Sequence, residues 1–82
     1  ILLNPNPTKH ETEIILTSEM EMKGELIVTN SIGKEIFHFG TLNLHKGENV
    51  LKYNTQVLPS GSYFIVLKTK HGAVSEKLGV SK

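Results

Sequence analysis

The chain has 82 residues, which allows one small domain with a modest core and little room for a deep active-site cavity. Its hydrophobic content of 38% and its interspersed charges of both signs are typical of a folded globular domain and exclude a disordered tail. The formal net charge is +1 and every basic residue is Lys, so nucleic acid is disfavoured as a partner because no Arg can grip phosphate or guanine. The absence of Cys excludes disulfides, thiolate metal sites and cysteine nucleophiles.

The start of the chain and its hydropathy predict neither a membrane span nor a signal peptide. The longest apolar runs have about five residues, against the ~20 that a helix needs to cross a bilayer. No charged segment precedes the first apolar residues, as it would in a signal peptide. Because the chain does not begin with Met, we expect residues 1–82 to be a single domain cut from a larger protein.

The first predicted elements are an extended arm and a strand. Pro5 and Pro7 in NPNPT remove two backbone donors and favour extended backbone at the residues before them. In ETEIILT, residues 11–17, one face is apolar at alternate positions, which predicts a half-buried strand. SEMEMKG, residues 18–24, is interpreted as a loop or a short edge strand.

The middle of the chain predicts a hairpin and two shorter strands. ELIVTN, residues 25–30, is predicted to be a strand with Leu26 and Val28 pointing inward. SIGK forms a turn in which Gly33 supplies a positive φ. EIFHF, residues 35–39, is apolar on both faces and ends at Gly40. The short alternating piece TLNLH, residues 41–45, follows as a separate strand.

The last third predicts three more strands. They are ENVLKYN at 48–54, SYFIVLKTK at 62–70 and AVSEKLGV at 73–80, the last two forming a hairpin. Short strands separated by turns about every ten residues, with no helical periodicity, are typical of β-sandwiches. We therefore predict an all-β fold, an immunoglobulin-like antiparallel β-sandwich of about seven strands.

A proline-glycine corner stands directly before the most apolar run of the chain, in LPSGSYFIVLKT. In immunoglobulin-like sandwiches a Tyr at such a point donates its hydroxyl back to the loop it has just left, and the spacing predicts this role for Tyr63. We expect Gly61 to need a backbone conformation that a Cβ disfavours. Phe64 and Val66 then face outward or are covered by another element.

The terminal segment EKLGVSK predicts a closing strand. Its alternation places Leu78 and Val80 towards the core. Gly79 between them either lets the strand bend or lets another backbone approach closely. Lys77 and Lys82 are expected to be free of contacts, with little effect on stability.

No pattern in the sequence indicates catalysis, a metal or a cofactor. The eight Glu residues are scattered, and PSGS is followed by a strand, not by the helix of a hydrolase elbow. The histidines lie far apart without ligand spacing, at His10, His38, His45 and His71. We therefore predict a non-enzyme without cofactor or small-molecule substrate.

The order of these motifs resembles the C-terminal sorting domain of type IX secretion substrates in the Bacteroidetes. The resemblance covers essentially the whole chain, and it rests on order, spacing and total length together. The matching positions are Pro5, Asn6 and Pro7 at the proline-rich N-terminal motif, Gly33 at the central Asn-x-x-Gly turn, Gly61 and Tyr63 at the glycine-x-tyrosine, and KLGVSK at the short basic end.

The resemblance implies that the chain is a secretion signal. Proteins of this family cross the inner membrane with an ordinary N-terminal signal, and their folded C-terminal domain is then recognised by the outer-membrane translocon and its shuttle protein. In many of them a sortase-like peptidase cuts before the domain and attaches the cargo to a surface lipopolysaccharide. The chain would be a monomeric secretion signal behind an N-terminal cargo that reaches the cell surface. Recognition is expected at Pro5, Asn6, Pro7, Gly33, Gly61, Tyr63, Phe64, Val66, Lys77, Leu78, Val80 and Lys82.

Two other interpretations stay open. The chain could be a structural or adhesive module, such as a fibronectin-like spacer or a carbohydrate-binding domain, with Phe64 and Val66 packed on a neighbouring domain. It could also be a small enzyme or an ion-binding module, although no constellation supports this. A parent gene that ends next to Lys82 and encodes a secreted cargo upstream would favour the secretion signal over these alternatives.

Overall fold

The computed structural model of the protein describes residues 1–82 and contains seven β-strands. No helix is present that could span a membrane. The strands are β1 (Leu2–Asn4), β2 (Glu11–Ser18), β3 (Met22–Asn30), β4 (Glu35–Leu44), β5 (Gly47–Asn54), β6 (Gly61–Thr69) and β7 (Gly72–Val80). They form a three-stranded sheet in the order β1-β2-β5 and a four-stranded sheet in the order β4-β3-β6-β7, with antiparallel pairing throughout. The predicted all-β antiparallel sandwich is confirmed, and an immunoglobulin-like arrangement is compatible with it.

The core lies between the two sheets because alternate residues of each strand face inward. In β3 the prediction that Leu26 and Val28 point to the core is confirmed, since both side chains are fully buried. In β2 the same holds for Ile14 and Leu16. The buried cluster consists of Leu3, Ile14, Leu16, Leu26, Val28, Leu44, Tyr53, Tyr63, Ile65, Leu67, Leu78 and Val80.

Residues 22–24, which we interpreted as part of a loop or edge strand, form the start of the internal strand β3. The glycine that suggested a loop is a packing position, because a Cβ at Gly24 would lie 2.8 Å from Cδ1 of Leu67. The strand therefore uses a glycine where a core side chain of β6 needs the space.

The predicted break at Gly40 is wrong, because residues 35–44 form one continuous strand, β4. Gly40 has a φ of +89°, and the register between β3 and β4 shifts at two points along the pair. A β-bulge adds a residue to one strand without ending the ladder, and glycine readily takes the unusual φ. Two strands predicted from the sequence are thus one irregular strand.

An aromatic cluster joins the two sheets near the start of β4 and the end of β5. Phe37 and Phe39 of β4 contact each other edge to face, with ring centroids 4.9 Å apart. Both rings pack on Tyr53 of β5, with centroid distances of 5.5 Å and 5.3 Å. Tyr53 itself is buried in the core.

Candidate functional site

The tyrosine corner is present at the start of β6. The hydroxyl of Tyr63 donates a hydrogen bond of 2.6 Å to the carbonyl oxygen of Pro59, in the loop that the chain has just left. The ring is buried in the core, so the bond fixes loop 55–60 against the sandwich. The prediction for Tyr63 is confirmed.

The backbone conformation expected at Gly61 is confirmed, because L side chains rarely adopt its φ. Its φ of +159° lies at the border of extended backbone. A Cβ on Gly61 would lie 3.9 Å from Cε2 of Tyr63, which is an ordinary contact. A left-handed conformation is also found at Gly33, with a φ of +86°, as the predicted turn requires.

The N-terminal arm is hydrogen-bonded to the far end of the chain. The side-chain amide of Asn6 donates to the carbonyl of Lys77 at 2.8 Å and accepts from the backbone N–H of Gly79 at 3.0 Å. Thr8 donates its N–H to the carbonyl of Gly79, and the carbonyl of Thr8 accepts from Ser81 N–H, both at 2.9 Å. The arm therefore covers the last part of the edge strand β7.

Prolines on both sides of Asn6 explain why a side chain makes these contacts. Pro5 and Pro7 have no N–H to donate, so a ladder of backbone bonds cannot form there. Asn6 supplies a donor and an acceptor from one amide and substitutes for the missing peptide group. Both Asn-Pro bonds in the arm are cis.

Gly79 is the point at which the arm approaches β7 most closely. A Cβ at this position would lie 3.3 Å from Cβ of Pro7. Of the two roles predicted for Gly79, a bend or a close approach, the structure shows the close approach. Leu78 and Val80 on either side point to the core, with 0% and 4% exposure, as predicted.

The expectation that Lys82 is free is wrong. Its ammonium group donates to the carbonyls of Thr55 and Gln56 at 3.0 Å and 2.9 Å, and its backbone N–H donates to Oγ of Ser60 at 3.0 Å. The chain leaves β7 beside loop 55–60, whose turn leaves two carbonyl oxygens close enough for one ammonium group to reach both. Lys77, in contrast, is exposed and its side chain has no partner.

The register of the four-stranded sheet places these features at one end of the sandwich. Asn30 of β3 lies opposite Tyr63 of β6, which in turn lies opposite Leu78 of β7. The Gly33 turn is therefore at the same end as the tyrosine corner and the C-terminal tail, residues 81–82. We call this region the motif end and define it by the segments 5–10, 31–34, 55–60 and 81–82, which lie between or beyond the strands.

Phe64 and Val66 do not belong to the motif end. They alternate with the buried residues of β6 and lie half-buried on the outer face of the four-stranded sheet. Ile27 of β3 lies opposite Val66 and is nearly buried, at 5% exposure. Phe64 and Val66 form a half-buried outer apolar stripe beside the nearly buried Ile27.

The family model described as a secretion system C-terminal sorting domain matches residues 3–81. The chain belongs to this family. Members of this family are C-terminal sorting signals for type IX secretion. Membership therefore implies export to the cell surface or outside, and a cargo on the N-terminal side of the domain. No curated protein and no solved structure matches the chain.

The sorting domain has its largest depression at the end opposite the motif end. It has a volume of about 480 Å³ and is open to solvent between the β2–β3 connection and the β6–β7 hairpin. Its lining mixes both charges, with Glu21, Lys23 and Lys68 among the residues. No three His, Asp or Glu side chains come together in a metal-binding group. The nearest approach of a His to a carboxylate is the pair of His38 and Glu25, with 3.5 Å between Nε2 and Oε1.

Sequence reasoning missed several residues that hold the motif end together. The carbonyl and amide of Thr8, the hydroxyl of Ser60 and the carbonyl of Thr55 all bind the tail. Backbone groups carry most of these bonds, and every residue has them, so residue identity contains no signal for them. The predicted residues Pro5, Asn6 and Pro7 are brought to the tail, but nothing in their pattern indicated the contact.

Proposed function

We propose that the chain is the C-terminal domain of a larger secreted protein and that the motif end is the surface read by the type IX translocon and its shuttle protein. The observation that carries this proposal is the hydrogen bonding of the N-terminal arm to the tail through Asn6 and Gly79. Segments that resemble the two outermost family motifs are thereby combined into one fixed surface. A partner that binds there reads both ends of the domain at once.

Recognition at this surface depends on folding. In the unfolded chain Asn6 and Gly79 are separated by 73 residues, so the combined surface exists only after both sheets have formed. A folded domain with ordered segments binds with a lower entropic cost than a flexible tail. The translocon would in this way discriminate folded cargo domains from unfolded ones.

A sortase-like peptidase would act before the domain. With a cargo on the N-terminal side, the connection to the cargo precedes β1. Cleavage upstream of β1 leaves the hydrogen bonds of Asn6 and Thr8 intact. Removal of the domain and attachment of the cargo to a surface lipopolysaccharide would therefore follow recognition.

The experiment is a reporter fusion. Residues 1–82 are placed behind a reporter with an N-terminal signal peptide and expressed in a bacterium with a working type IX system. We expect the reporter at the cell surface or in the medium, and in the periplasm of a matched strain that lacks the translocon. Equal distribution in the two strains would overturn the proposed function.

A structural or adhesive module is the second candidate, and the outer apolar stripe favours it. Phe64 and Val66 could pack on a neighbouring domain of the parent protein. The variant Phe64→Ser/Val66→Ser separates the two functions. Full export of this variant assigns the stripe to packing on a neighbour, whereas loss of export with an unchanged melting temperature assigns it to recognition.

A further inference from the structure

Two aliphatic side chains stand out at the motif end. Ile32 is 84% exposed and Val57 is 86% exposed, whereas the other exposed large hydrophobic side chains have values between 38% and 61%. Both are in connecting segments, where polar residues are the usual choice. Single exposed apolar residues are common, but two at the tips of neighbouring turns at one end of the fold form a pattern.

The backbone of each tip is held in place. In turn 31–34, the side-chain oxygen of Asn30 accepts from the amides of Ile32 and Lys34 at 3.1 Å and 2.9 Å. The carbonyl of Asn30 also accepts from the amide of Gly33 at 3.0 Å. Ile32 is therefore presented by a turn with little freedom to rearrange.

Loop 55–60 is held even more firmly around Val57. Thr55 donates its N–H to the carbonyl of His10, and Leu58 donates to the carbonyl of Thr55. Tyr63 and Lys82 add the bonds described above. The backbone of an ordered turn loses little conformational entropy on binding. Both tips are therefore suited to enter sockets of fixed spacing.

The charge of the motif end indicates what surrounds those sockets. Its four segments contain Lys9, Lys34 and Lys82 and no acidic residue, and the nearest carboxylates belong to the first positions of β2 and β4. The connecting segments at the opposite end contain Glu19 and Glu21 together with two Lys residues. An acidic partner surface is complementary to the motif end and not to the opposite end.

We propose that Ile32 and Val57 are paired anchors that insert into two apolar sockets on an acidic protein surface. This inference rests on the proposed function, because the partner is taken to be the outer-membrane component that reads the domain. A lipid surface is the less suitable partner. Membrane-binding surfaces use larger apolar areas than two separate aliphatic side chains provide.

The test compares two double variants in the reporter fusion. Ile32→Ser/Val57→Ser removes the anchors, and Val50→Ser/Val74→Ser removes two exposed aliphatic side chains on strands as a matched control. We expect the anchor variant to lower the exported fraction by about tenfold or more, and the control variant to leave it unchanged. A single variant, Lys34→Glu, should also lower export relative to Lys52→Glu on β5, because it reverses the charge beside Ile32.

The outcomes separate this inference from the function on which it rests. Failure of the unchanged fusion to be exported overturns both. Export of the unchanged fusion together with full export of the anchor variant and of Lys34→Glu overturns the inference alone. A photo-crosslinking amino acid at position 57 should capture a protein that the same probe at position 50 does not, and a lipid adduct at position 57 would overturn the assignment to a protein partner.

Discussion

Asn6 and Gly79 are joined by a hydrogen bond of 3.0 Å from the amide of Gly79 to Oδ1 of Asn6. The same amide side chain donates to the carbonyl of Lys77, so one residue of the arm binds two positions of β7. An edge strand exposes unpaired backbone groups, and this contact covers part of that edge. It also turns two distant segments into one surface.

Asn6→Ala should lower the free energy of unfolding by about 1–2 kcal/mol, because two hydrogen bonds are lost and each contributes roughly 0.5–1.5 kcal/mol. Urea denaturation measures this. Asn4→Ala is the matched control, since the side chain of Asn4 is exposed and forms no hydrogen bond. Equal stability of the two variants would contradict the role of Asn6.

Gly79→Ala should cost about 1–3 kcal/mol, because the new Cβ would lie 3.3 Å from Pro7 and the arm would have to shift. Ser75→Ala on the exposed part of β7 is the control and should change stability by less than about 0.5 kcal/mol. Thermal melts of both variants give the comparison. A Gly79→Ala variant as stable as the parent would mean that the arm is not held closely against β7.

Tyr63→Phe should destabilise the domain by about 0.5–1.5 kcal/mol through loss of the bond to Pro59. Tyr63→Ala should cost roughly 3–5 kcal/mol because it also leaves a cavity in the core. Tyr53→Phe is the control at neutral pH, since the hydroxyl of Tyr53 forms no hydrogen bond with the protein. If Tyr63→Phe and Tyr53→Phe have the same melting temperature, the hydrogen bond of the corner contributes nothing to stability.

Lys82 and Lys77 should behave differently when each is replaced. Lys82→Ala should lower stability by about 1 kcal/mol, because its ammonium group binds the carbonyls of Thr55 and Gln56. Lys77→Ala should leave the melting temperature unchanged, since its side chain is exposed. Lys77→Glu should nevertheless reduce reporter export, and full export of that variant would remove Lys77 from the recognition surface.

The domain should lose stability at alkaline pH through Tyr53. Burial raises the pKa of Tyr53 above its ordinary value of 10.0, and the charge of nearby Tyr63 raises it further. The unfolded chain then releases this proton at a lower pH than the folded domain does. The contribution is complete below about pH 10 and is lost as the pH rises towards the folded pKa. Denaturant melts at increasing pH should show a steeper loss for the parent than for Tyr53→Phe, and equal slopes would contradict the shift.

The sequence by itself determined the fold class and the direction of most core side chains. The two-residue period of a strand assigned Leu26, Val28, Leu78 and Val80 correctly to the core face. The tyrosine corner was equally predictable, because its bond spans only four residues. Local periodicity and short spacing are sufficient for features of this kind.

Only the tertiary structure decided how the distant segments meet. Glycine is compatible with a break, a bulge or close packing, so the continuous path of β4 through Gly40 and the burial of Gly24 depended on neighbouring strands. The contacts of Asn6 and Lys82 depended on the fold in the same way. Their partners are backbone groups, which are identical at every position of the chain, and only the packing of the two sheets brings particular ones within hydrogen-bond distance.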